Sequence, residues 1–150
     1  MSDSRIVSIH KKLAELVGVD FASGYSGIDF TNRVVRTGET EPVTTPFCSV
    51  VFVDSLEKFG PTMGRYSGEA IFEVYCFVTG SNTEKRNDEA LNVISDMIKA
   101  ITANRQLGLG SLVDDVICSF KSIDGNVFGL NSIQIGFIEV KVSYKSEDGA

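Results

Sequence analysis

Between Gly68 and Thr79 the chain carries a long run rich in β-branched and aromatic residues, and this stretch strongly restricts its fold. In an extended backbone Ala70, Phe72, Val74, Cys76 and Val78 fall on one side, with Ile71, Glu73, Tyr75 and Phe77 on the other. Period two over that length specifies a strand whose apolar side needs a packed layer. Phe47 to Asp54, rich in Val and Phe, presents apolar residues to both faces, as a central strand does. These two strands are expected to pair. Between them, Ser55 to Ser67 contains the turn signals Gly60-Pro61 and Gly64, which predicts a hairpin with a long projecting tip.

Elsewhere the period changes. Ser4 can cap a first helix in which Ile6, Ile9, Leu13 and Leu16 form one apolar stripe, and Gly18 is its expected stop. Ser81 and Glu84 have capping-box spacing, and Ala90, Leu91, Ile94, Met97, Ile98 and Ile101 follow a helical period to about residue 103. After a turn over Asn104 to Gly110, Val116, Cys118 and Phe120 alternate with Ile117, Ser119 and Lys121 as a half-buried strand. A second turn passes through Asp124-Gly125-Asn126. Ile138, Val140, Val142 and Tyr144 then alternate with Glu139, Lys141, Ser143 and Lys145 as a strand buried on one side. Ile28-Asp29-Phe30 and Val34-Val35 predict one or two short strands. Arg36 to Pro42 has no apolar anchor and is the expected mobile segment.

These elements predict an α+β fold: a single mixed, mainly antiparallel sheet, an N-terminal and a central helix packed on it, and projecting loops. One domain over 1–150 suffices, with mobile ends at about 1–3 and 146–150. The 150 residues include 43% hydrophobic and 23% charged, ordinary for a soluble domain. A net charge of −6 and a pI near 4.8 would repel phosphates, so no free nucleic acid is expected as a ligand. The N-terminus lacks a signal peptide's apolar core, and the longest aliphatic or aromatic run, Val50 to Val53, is far short of a membrane span.

Chemistry is sparse. Cys48, Cys76 and Cys118 form no CxxC pair, and each lies in an apolar strand segment, so they read as buried reduced thiols. His10, the single histidine, sits beside Lys11 and near Glu15 at an expected solvated or boundary position; a Cys–His pair would require the fold to bring a thiol to it. The Cys and His spacing does not offer zinc four ligands. Asp114 and Asp115, if they open a strand, point to opposite faces and read as a charged strand entrance. Gly108-Leu109-Gly110 follows a helix and precedes a strand, the reverse of a dinucleotide-binding turn, and Gly60 to Arg65 lacks the ending of a phosphate loop. No catalytic, cofactor or metal site is therefore assigned.

Two segments suggest protein contacts. Phe59, Met63 and Tyr66 lie at the hairpin tip with Arg65, where they either anchor an interface or fold back over the sheet end. Arg33 and Arg36 precede Glu39 and Glu41; such opposite charges either complement a neighbouring copy head-to-tail or belong to a solvated loop.

The order of elements, with Pro46-Phe47-Cys48-Ser49-Val50, the helix Asn87 to Ala103, Asn104-Arg105-Gln106-Leu107-Gly108-Leu109-Gly110, Leu112 to Val116 and the strand Ile138 to Tyr144, resembles the tail terminator, or tail-completion, family of long-tailed bacteriophages. The resemblance runs from about Ile6 to Tyr144. It implies a non-enzymatic virion protein of the tail and neck, made in the host cytoplasm. Its copies would form a homohexameric ring that caps the tail tube, ends tube growth and offers the head-joining surface. The implied partners are further copies of itself, the tube protein and a neck or head-completion protein. Other head–tail connector, head-closure or baseplate subunits share these physical requirements. A small α+β enzyme or ligand-binding domain is the competing class.

Overall fold

The computed structural model describes residues 4–18, 34–35, 47–60, 65–79, 82–103, 106–110, 113–124 and 133–147. Ser4 caps helix α1 (Arg5–Val17): its hydroxyl oxygen accepts from the Val7 N–H at 3.3 Å. Gly18 ends it, its N–H donating to the Glu15 carbonyl at 3.2 Å. Ile9, Leu13 and Val17 are buried, and Ile6 and Leu16 pack beside them, so the expected apolar stripe faces the core.

Five strands follow: β1 (Val34–Val35), β2 (Phe47–Gly60), β3 (Arg65–Thr79), β4 (Val113–Asp124) and β5 (Ile133–Glu147), with helix α2 (Thr83–Thr102) between β3 and β4. They form one open sheet in the order β1-β2-β3-β5-β4. Short β1 runs parallel to β2, and every other pairing is antiparallel, which gives the α+β fold and mixed sheet expected. Because β5 inserts between β3 and β4, those two strands point the same way, and α2 crosses over to join them. Ile28-Asp29-Phe30 lies outside the described residues, as do residues 36–46 and the ends 1–3 and 148–150.

Both helices cover one sheet face. That face contributes Cys48, Val50, Ala70, Phe72, Val74, Cys76, Val78, Ile138, Val140, Val142 and Tyr144 to the core, against Ala90, Val93, Ile94, Met97 and Ile101 of α2. Gly136 lets α2 approach: a Cβ built there would stand 2.7 Å from both Cγ1 and Cδ1 of Ile94. On the other face the Tyr75 and Phe137 rings meet edge to face at 5.2 Å, and the Tyr75 hydroxyl donates to Glu73 Oε1 at 2.8 Å. Glu73 and Glu139 are cross-strand neighbours there; Tyr75 serves the first, and the Lys141 ammonium lies 3.9 Å from the second.

The hairpin, the cap of α2 and the end of β5 depart from the sequence reading. The expected long hairpin tip, Ser55 to Ser67, is instead mostly ladder: pairing continues from Ser55↔Ala70 to Gly60↔Arg65, and only 61–64 lie beyond, outside the described residues. Gly60 therefore marks the end of β2. The cap of α2 is Asn82, whose side-chain oxygen accepts from the Lys85 N–H at 2.8 Å, one residue after the expected Ser81. Asn and Ser are comparable caps, so local composition does not separate them. Lastly, β5 runs past Tyr144 to Glu147, with Tyr66↔Ser146 and Arg65↔Glu147 paired, where a loose tail from Ser146 was expected.

Candidate functional site

His10 and the three cysteines are engaged in packing. His10 is half-buried at the boundary between α1 and the sheet, where its Nε2–H donates to the Val50 carbonyl at 2.7 Å and its ring tilts over Phe72 at 5.3 Å. This contact fixes α1 to β2 across a long sequence separation. Cys48 and Cys76 are buried partners in the β2–β3 ladder, and the Cys76 thiol donates to Met97 Sδ at 3.0 Å. Burial, then the contact with Cys76, pushes the Cys48 thiol well above its ordinary range. Burial alone raises Cys118 to about 11. Both shifts oppose the thiolate a nucleophile needs. Among the described residues no group of three or more His, Cys, Asp or Glu is placed to hold a metal ion.

Asp114 and Asp115 do not simply open the strand as expected. A register shift in the β4–β5 ladder passes from Val113↔Tyr144 to Asp115↔Ser143, which leaves Asp114 as the bulged residue. Asp115 Oδ1 accepts from the Val116 N–H at 3.0 Å. A matching shift on β2, between Phe52↔Phe72 and Asp54↔Ile71, bulges Val53 to 47% exposure.

The ladder places Phe59 and Tyr66 directly opposite each other and Arg65 opposite both Gly60 and Glu147, at the far end of the β2–β3 hairpin. Met63 lies outside the described residues, as do Arg33, Arg36, Glu39 and Glu41. Sequence reasoning overlooked the apolar groups on the sheet edges. Phe52 is 40% exposed while its ring meets Phe72 edge to face at 5.7 Å. On β4, Ile117 is 62% and Phe120 51% exposed. The alternation groups Phe120 with Val116 and Cys118 on one face of a half-buried strand. Val116, on the same face of the same strand, is buried, so the cover over β4 ends before Phe120, which local periodicity does not encode.

No helix among the described residues is long and apolar enough to cross a membrane. No protein-family model matches the chain, and no curated protein matches it with significance.

Proposed function

We propose that this chain is a structural assembly subunit, a tail-terminator-like ring protein that caps a bacteriophage tail tube and presents the surface for head joining. The observation that carries this reading is the hairpin. β2 and β3 stay paired to Gly60↔Arg65, with β5 alongside to Glu147, so Phe59, Arg65 and Tyr66 sit at the end of a three-stranded arm. A subunit that must meet neighbours at fixed angles needs such an arm on a packed core. The reading gains support from the order of elements, α1, a paired hairpin, α2 and two further strands, which is the order the family resemblance calls for. The use of His10, Cys48 and Cys76 in packing fits a subunit without an active site.

Size-exclusion chromatography with light scattering, over a concentration series and with assembled tube protein, tests the proposal. A closed multimer, hexameric on the tube, is expected. A species that stays monomeric on mixing with assembled tube would overturn it. Replacing Phe59, Met63 and Tyr66 by Ser should abolish tube capping and leave thermal unfolding nearly unchanged. A large loss of thermal stability would return these residues to the core.

A further inference from the structure

The outer edge of β4 is a twelve-residue strand with no neighbour among the described residues. The Val116 N–H donates to Asp115 Oδ1 at 3.0 Å and so takes no part in the ladder with β5. That assigns the outward-facing backbone groups of β4 to Val116 and, at period two, to Cys118 and Phe120. The same strand exposes Ile117 and Phe120. Among the described residues the outward backbone groups of Cys118 and Phe120 have no strand partner, and an edge that combines such groups with apolar side chains is a template for another strand.

The residue order along β4 selects which strand. Reversed about Cys118, β4 is complementary to itself: Asp115 falls opposite Lys121, Val116 opposite Phe120, and Ile117 opposite Ser119. In this register outward-facing positions meet outward-facing positions, so the backbone ladder can close. Asp115 and Lys121 then occupy opposite positions of a non-hydrogen-bonded pair, and the two-fold axis repeats that opposite-charge pair. Moving the centre to Ile117 or Ser119 puts Asp115 opposite Ser119 or Ile123 and loses both charge pairs.

We propose that β4 pairs antiparallel with β4 of a second copy of this chain, centred on Cys118, so that one sheet continues across a two-fold axis. The contact is isologous and closes at two copies. It lies at the sheet edge remote from the β2–β3 hairpin and does not depend on the ring reading, so it is tested on the isolated chain without tube protein.

Sedimentation velocity over a wide concentration series should show a monomer–dimer equilibrium. Asp115→Lys and Lys121→Asp each replace two attractive pairs with two repulsive ones and should weaken the dimer at least about tenfold. The double variant, and an equimolar mixture of the two single variants, should recover it. Phe120→Pro removes an outward N–H that β5 does not use, so it should leave a folded monomer by circular dichroism and abolish the dimer. The proposal is overturned by a wild-type chain that remains monomeric throughout, by a dimer indifferent to these substitutions, or by a loss that neither charge swap restores.

Discussion

At Cys118 burial sets the chemistry of a thiol. Its value rises from the ordinary 9.0 to about 11, so at about pH 8 its thiolate should be roughly a hundredfold scarcer than that of a free cysteine. Iodoacetamide labelling followed by peptide mass spectrometry should show Cys118 reacting about that much more slowly in the native chain than in urea. Equal rates would mean that the thiol is not held in an apolar setting. The same shift makes stability depend on pH. The folded state favours the protonated thiol, so this contribution is fully present below about 9.0 and is lost as pH rises toward about 11. Cys48, also raised, acts in the same direction. Urea midpoints should therefore decline across that window, and Cys118→Ser should make the decline shallower. At Leu107 a different local conflict is settled by packing: its φ of 54° is unusual for a branched side chain, but the side chain is buried in the core. The glycines after it announce a turn, and nothing in the sequence says that the leucine takes the left-handed position first.

The contact between α2 and the sheet depends on Gly136. Alanine there would drive a Cβ into Ile94 within a closely packed core, at an expected cost of about 1–3 kcal/mol. Denaturant unfolding of Gly136→Ala should show that loss, and adding Ile94→Val, which removes one of the two clashing carbons, should recover part of it. If Gly136→Ala is neutral, α2 does not sit this close to β5. This element also shows how far sequence reaches. The apolar alternation from Ile138 to Tyr144 was readable because one face is buried throughout, whereas the start of β5 at Ile133 was not, because Gly136 interrupts the side-chain pattern where a helix presses on the backbone. The helical period of α2 was readable for a related reason: Ala90, Ile94, Met97 and Ile101 all face the sheet. The hairpin ladder beyond Ser55 was obscured because Ser, Glu, Lys and Gly dominate it, and its pairing is set by neighbouring strands more than by its own composition. Of the candidate contact residues, those on the hairpin could be identified by type but not by their place on a ladder. The exposure of Ile117 and Phe120 depends on what covers β4, which only the assembled fold defines.

Across the whole molecule, strand order predicts how protection is distributed. Among the described residues β3 and β5 are paired along both sides, β2 is flanked by β1 only at Cys48 and Ser49, and β4 has β5 alone. Residue-resolved hydrogen exchange in the monomer should therefore be slowest in the β3–β5 ladder, around Val74↔Ile138, where opening requires the core to separate from α2. Along β4 the pattern should alternate, with Ile117 and Ser119 protected by β5 and Cys118 and Phe120 exchanging quickly at low concentration. Raising the protein concentration should slow exchange at Cys118 and Phe120 if a second β4 takes up their outward N–H groups, and should leave the β3–β5 amides at their global rate. A uniform slowing at every site would instead report stabilisation of the whole fold. Exchange at Cys118 and Phe120 that is already slow in dilute monomer would mean that the edge is covered within a single chain, which removes the need for a second copy.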